Sequence, residues 1–253
     1  MDKTLIKGVQ LLELLLSVGR PCGVGELARL SGLNASNVHR TLQSWLHLGF
    51  VAQDLGTGAY RCTLRLFEWG SRVVDGFDVR GVAREHLVRL AAETQETIHL
   101  SVLDGAEIVY LEKIESPQPV RAYSKIGGRA PAHCVATGKA LLAHAPTSAL
   151  AALPSPLPRP TANTVIDLDT LRIQLVQVRD RTYAVNHEEW RLGVSGLGAV
   201  VFDQTGQAIA AVGLSAPSTR LHPANEQVIA MKLVASAKEI SKALGLKPQQ
   251  RAS

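Results

Sequence analysis

Four clusters of polar side chains in this chain have types and spacings that could do chemistry. Ser36, Asn37, His39, Arg40, Gln43 and Ser44 fall within nine residues. Arg can grip guanine through two hydrogen bonds, Asn or Gln can do the same for adenine, and Ser at a helix start can hold phosphate beside the backbone amides. His133 next to Cys134 invites a thiol nucleophile and its base, and hence a small-molecule hydrolase. Sequence neighbours rarely face each other, however, and no third group is available to orient the base. Thr137-Gly138-Lys139 suggests a phosphate loop, but His133 stands where that motif needs its first glycine and Ala140 where it needs Ser or Thr. Asn186, His187, Glu188 and Glu189 could hold a metal, yet one His beside adjacent acids lacks a ligand spacing, and a solvated loop with paired charges is the simpler reading. Neither a metal nor a cofactor is expected.

The elements that must carry these residues follow from periodicity. Leu27, Ala28 and Leu30 give a first short helix its apolar side, Gly32 suits a left-handed turn, and Asn34 can cap a second helix running to about His47. At helical spacing Val38, Leu42 and Trp45 form a packing stripe, leaving Ser36, Arg40, Gln43 and His47 on the opposite face with Asn37 and Ser44 beside them. Residues 50–52 and 60–64 read as strands around the turn 54–59, a hairpin that follows the reading helix as a wing and carries Arg61. Leu5, Val9, Leu12 and Leu16 supply a further helix. A winged helix-turn-helix over residues 1–65 results, the unit that sets a helix in the DNA major groove.

Residues 66–77 read as a linker helix whose Leu66, Phe67, Trp69, Val73 and Val74 need an apolar partner; a twofold dimer contact shared with the first helix is expected, with folding back on its own domain as the alternative. From 78 to 253 the pattern is α+β. Helices are expected at 79–94, 135–145, 168–181 and 225–244, and strands at 97–103, 107–114, 121–124, 199–202 and 208–214. The proline-rich stretch 154–160 reads as a surface excursion, and the basic tail 247–253 is expected to fray.

The net charge of +5 suits a polyanion but does not locate it. Residues 1–76 carry 8 Lys/Arg against 6 Asp/Glu, and residues 77–253 carry 19 against 16. So mild a surplus implies reliance on base contacts and dimerisation. Three cysteines without CxxC spacing fit a reducing cytoplasm, and neither a signal peptide nor a membrane-spanning apolar run is found.

The segments LSGLNASNVHRTLQ, GGRAPAHCVATGKALLA (127–143) and YAVNHEEWRLGVSGLGAVVFD (183–203), in this order, resemble the IclR family of bacterial transcriptional regulators. The resemblance implies a winged helix-turn-helix joined to a GAF-like effector-binding domain, assembled as dimers or dimers of dimers, binding a double-stranded operator and answering to a small metabolite. It also implies effector contacts near Asn186, where an Asp is usual, near Gly196, where a Cys is common, and at Gly213 and Ser215. Read from the residues themselves, Gly127 and Gly128 permit unusual backbone angles before Arg129, and the small residues 132–136 lead into a helix whose amides attract an anion. The expected effector set is thus Gly128, Arg129, Ala130, His133, Cys134, Ala136, Asn186, Gly196, Gly213 and Ser215. Uncharged Asn186 tolerates an anion better than Asp would, so a small organic acid, aromatic ones included, is the expected ligand.

Overall fold

The computed structural model describes residues 1–75, 79–122 and 124–246. Expectations resting on 76–78, on Tyr123 and on the tail 247–253 lie outside the described residues, as does the side chain of Val74. The chain divides into two compact units, Met1–Phe77 and Asp78–Ser253.

In the first unit α1 (Lys3–Val18) starts at Asp2, whose side chain accepts the Thr4 amide at 2.8 Å. Helix α2 (Val24–Ser31) ends at Gly32, where φ is +69°, a conformation glycine adopts without strain, and α3 (Ala35–His47) follows from the extended Asn34. The Asn34 side chain makes no capping bond. Strands β1 (Val51–Gln53) and β2 (Tyr60–Cys62) pair antiparallel as the wing. Its tip is closed by Asp54, which accepts from the Thr57 and Gly56 amides at 2.7 and 3.1 Å. Leu11, Leu15, Leu27, Val38, Leu42 and Tyr60 fill the core.

Helix α4 (Arg65–Asp75) belongs with this unit. Trp69 meets Phe50 edge-on at 4.5 Å and the Arg65 guanidinium lies 5.2 Å over the same ring, so the start of the expected linker helix folds back on its own domain. Even so, Phe67, Trp69 and Val73 remain 71%, 53% and 68% exposed.

The second unit contains α5 (Val79–Thr94), β3 (Thr97–Asp104), β4 (Glu107–Ile114), β5 (Arg129–Pro131), a 3-10 turn (Ala132–Cys134), α6 (Ala136–His144), α7 (Thr147–Ala151), α8 (Leu168–Arg181), β6 (Ala184–His187), β7 (Val194–Phe202), β8 (Ala208–Pro217) and α9 (Pro223–Ala243). One antiparallel sheet runs in the order β5-β4-β3-β8-β7-β6. Helices α5 and α9 cover one face around Leu87, Leu100, Leu214 and Leu233; α6 and α8 cover the other around Leu141, Leu171 and Leu175. Residues 97–102 of β3 are therefore buried without a break, even though polar Thr97, His99 and Ser101 alternate with apolar Ile98, Leu100 and Val102.

One expected strand, 121–124, is not formed at its described residues. Arg121, Ala122 and Ser124 lie outside any strand. The backbone of Tyr110 on β4 pairs instead with Gly127 and Gly128 (2.8 and 3.0 Å), and β5 continues that edge through Ala130, opposite Ile108.

Candidate functional site

On α3 the packing and reading faces separate as helical spacing requires. Val38 and Leu42 are buried, while Ser36, His39, Arg40, Gln43 and Ser44 are exposed and Asn37 is half-buried. Trp45 donates its indole N–H to the Gly8 carbonyl at 3.1 Å and fixes α3 against α1. Arg40 donates to Asn37 Oδ1 at 3.2 Å, so these two side chains act as a pair. Gln43 differs from expectation, because its amide donates to the buried Tyr60 hydroxyl at 2.8 Å, tying α3 to the wing and leaving Gln43 Oε1 as an acceptor. Arg61 is exposed on β2.

In the second unit a cavity of about 110 Å³ lies between the start of α6, the ends of β6, β7 and β8, and the turn before β5. Its walls include six of the expected residues, Gly128, Arg129, Ala136, Asn186, Gly196 and Ser215. Gly196 and Asn186 face each other across β6 and β7, and Ser215 is the partner of Gly196 on β8.

The other four stand elsewhere. Ala130 packs into the core between the sheet and α6. Gly213 does not open its backbone to the cavity; a Cβ there would fall 2.4 Å from both His99 Nε2 and Thr137 Cγ2, so its missing side chain makes room for those two residues. His133 and Cys134 are buried outside the cavity lining. They do approach each other despite being adjacent, with Sγ 3.1 Å from Nε2, because the 3-10 turn and a contact from His133 to the Pro158 carbonyl at 2.9 Å fold the imidazole back. Burial pushes the thiol up to about 12, which favours the protonated form at neutral pH.

Residue spacing gave no signal for four further cavity residues. His99, Tyr110, Ser124 and Thr137 line it, and three of their atoms, His99 Nδ1, Ser124 Oγ and Thr137 Oγ1, are buried with no hydrogen-bond partner among the described residues. Unpaired buried polar atoms are costly, and a ligand or water that reaches them recovers that cost. Burial alone pulls His99 down to about 4, so its ring is neutral. It meets Tyr110 edge-on at 4.9 Å. Burial also raises the Tyr110 phenol to about 12, opposed by the Arg191 charge.

The polar motif around Asn186 is not the solvated loop that residue types suggested. Glu189 is buried and both its oxygens lie 2.6 Å from Lys139 Nζ, itself only 2% exposed and also bonded to Gln174 at 2.8 Å. Burial lowers the Lys139 pKa, and the Glu189 carboxylate opposes it. The Lys139 of the phosphate-loop look-alike is thereby committed to a structural pair. Asn186 Oδ1 accepts the Glu189 amide at 2.8 Å, which orients its NH2 as the free, donating end. Trp190 and Arg191, the next two residues, line the cavity.

The cavity therefore presents donors. Helix α6 begins at its wall with Val135, Ala136 and Thr137, and no side chain caps the first-turn amides. Within the expected cradle 132–136 the Ala132 amide is already bonded to the Ala106 carbonyl at 2.9 Å, which leaves the uncapped amides at the start of α6. Among the described residues Lys125, Arg129 and Arg191 line the cavity and no Asp or Glu does. Arg129 is engaged by Asp104 and Glu107 at 2.6 and 2.7 Å, whereas Lys125 and Arg191 form no ion pair among the described residues. Among those residues no group of His, Cys, Asp and Glu could hold a metal ion, and no helix is long and apolar enough to cross a membrane.

Comparison with known proteins places this architecture. The family model for the C-terminal domain of IclR bacterial transcriptional regulators matches residues 71–242, and that for the IclR helix-turn-helix domain matches 4–55. The HTH-type transcriptional regulator KdgR of Dickeya chrysanthemi is 36% identical over 228 residues, covering 89% of this chain and 75% of that protein. XynR of Escherichia coli (strain K12) is 33% identical over 241 residues, 94% of this chain and 96% of its own. Among solved structures, Thermotoga maritima IclR superposes with a TM-score of 0.81 at 30% identity over 97% of this chain and 100% of that one. An IclR homolog from Microbacterium hydrocarbonoxydans, crystallised with 4-hydroxybenzoate, gives 0.81 at 26% identity over 96% and 99%.

Proposed function

The chain belongs to the IclR family of bacterial transcriptional regulators, and from that premise we propose that its operator binding is modulated by a small aromatic or aliphatic organic acid held in the 110 Å³ cavity. One observation carries the reading: the space is lined by Lys125, Arg129, Arg191 and the start of α6 and, among the described residues, by no carboxylate, and three of its lining residues, His99, Ser124 and Thr137, each hold a buried polar atom with no partner among those residues. Such a space is favourable for a carboxylate and costly left dry. Asn186 donates to the acid through its NH2, Arg191 and Lys125 supply positive charge, and Ser215 and Thr137 complete the hydrogen bonding. Tyr110, Trp190 and His99 offer aromatic edges and faces to a ring, in line with the 4-hydroxybenzoate held by the Microbacterium relative.

At the DNA end, α3 enters the major groove with Arg40, Asn37, His39 and Gln43 toward the bases and Ser36 and Ser44 toward the backbone, while the wing brings Arg61 to an adjacent phosphate. The chain works as a dimer, or a dimer of dimers, in the cytoplasm. The exposed Phe67, Trp69 and Val73 of α4, together with Leu5, Val9 and Leu16 of α1, 62%, 42% and 51% exposed, supply the apolar contact. Twofold symmetry then demands an inverted-repeat operator. Linkage requires that an acid which weakens DNA binding is itself held less tightly by the DNA complex.

The test is binding of the purified chain to its own upstream DNA, titrated with a panel of small carboxylic acids. A sequence-specific complex altered by one acid, with the effect lost in Asn186→Asp, is the expected result. A specific complex that no acid alters refutes the effector half, and absence of any specific complex refutes the whole.

A further inference from the structure

A larger cavity, of about 520 Å³, opens elsewhere in the second unit and shares no lining residue with the first. Its origin is topological. Pairing of β6 with β7 stops at Ala184 opposite Gly198, so residues 199–202 of β7 have no strand on that edge. The C-terminal ends of α6, α8 and α9 stand around this bare stretch. Small or apolar side chains, Ala199, Val200, Val234 and Ala237, form the floor. One polar group that the bare edge would otherwise strand is satisfied, because the Phe202 amide donates to Ser241 Oγ at 2.9 Å.

The rim is cationic. Arg179, Lys238 and Lys242 line the opening, none forms an ion pair among the described residues, and no Asp or Glu lines it with them. Arg179 is steadied by donation to the Ala143 carbonyl at 2.7 Å, and His144 stands edge-on to Phe202 at 5.1 Å. Three like charges around an apolar hollow repel one another, and the occupant that relieves this repulsion while covering the floor carries a negative head on an apolar body. The volume falls within the usual range for small-molecule sites, about 300–1,000 Å³.

We propose that this cavity is a second ligand site, selective for an amphipathic organic anion such as a medium-chain or polycyclic carboxylate. The apolar body lies along the uncovered edge of β7, and the carboxylate sits between Arg179, Lys238 and Lys242.

Decanoate is the probe, titrated calorimetrically into the full-length chain. The expected result is one molecule bound per chain, weakened by roughly tenfold or more in Lys238→Glu/Lys242→Glu and progressively by salt, as for a charge-recognised anion. Both lysines are exposed, so this variant retains the fold, which circular dichroism verifies. Val200→Trp, which fills the hollow from a half-buried position, abolishes binding, and Asn186→Asp in the other cavity leaves it unchanged. No binding of decanoate, binding indifferent to the two lysine reversals, or equal binding of decylamine each overturns the proposal. Because the probe is read without DNA, failure here leaves the operator and small-acid reading standing, and failure of that reading leaves this one standing.

Discussion

His99 makes the stability of the second unit dependent on pH in a calculable way. Its ring is buried, and desolvation brings its pKa from the ordinary 6.5 down to about 4. Near pH 7 folded and unfolded chains are both largely neutral at this site. As pH falls below about 6.5 the unfolded chain takes up a proton that the folded chain refuses, so stability is lost on acidification until the folded ring itself titrates near 4. Between about pH 7 and pH 5 these two values give a loss of about 2 kcal/mol. Replacing His99 by Gln removes the titrating group and keeps a side chain that can hydrogen-bond. The packing cost of the change is common to both pH values and cancels in the difference. Urea unfolding is followed through Trp190, the one tryptophan of the second unit, in a Trp45→Phe/Trp69→Phe background. The parent chain should lose about 2 kcal/mol more than the Gln variant across that interval. Equal losses in the two chains would show that the unfolded imidazole gains no advantage, and the burial argument would fail.

Lys139→Met should destabilise the second unit by about 3–5 kcal/mol, because it strands the buried Glu189 carboxylate, whereas Lys139→Met/Glu189→Leu should recover most of that loss in the same urea melts. A Cβ at position 198 would lie 2.5 Å from the Ala136 carbonyl carbon and oxygen, so Gly198→Ala should cost about 1–3 kcal/mol or more and lower the melting temperature. Arg40→Ala should weaken operator binding by about 1–3 kcal/mol at particular base pairs, read by competition with single-base operator variants; a uniform loss on every sequence would assign Arg40 to phosphate instead. Phe67→Ser/Trp69→Ser should shift the chain toward monomer in sedimentation experiments, and an unchanged dimer would remove α4 from the interface.

Much of the frame was legible because its signals are local. The spacing of Leu27, Val38 and Leu42 and the turn at Gly32 delimit α2 and α3, the Asp104-Gly105 turn marks the β3–β4 hairpin, and α5 and α8 begin and end as their periodicity predicts. The edge strands were not legible. Ala184–His187 and Arg129–Pro131 are short and owe their conformation to a long-range partner rather than to their own residue types. The cavity was half legible for the same reason. Asn186, Gly196 and Ser215 lie together only because β6, β7 and β8 pair in one register, and the resemblance supplied what spacing could not. Thr137 and His99 became visible only with the sheet assembled, when Gly213 proved to be small on their account. Glu189 reads as one more surface acid until Lys139, 50 residues away, is brought to it.

The seat of α6 on the sheet divides the positions around the small cavity into two kinds. At Gly138 and Gly198 a side chain would strike backbone, 2.2 Å from the Ala132 carbonyl oxygen and 2.5 Å from that of Ala136, so no rotamer change in a neighbour can accommodate a substitution. Ser215, Trp190 and Arg191 line the cavity and carry side chains that substitution can exchange. If the cavity holds an organic acid as proposed, point mutation can rewrite which acid is recognised while the start of α6 stays where the glycines hold it. A lineage carrying this scaffold can change its chemical vocabulary one residue at a time without passing through an unfolded ancestor.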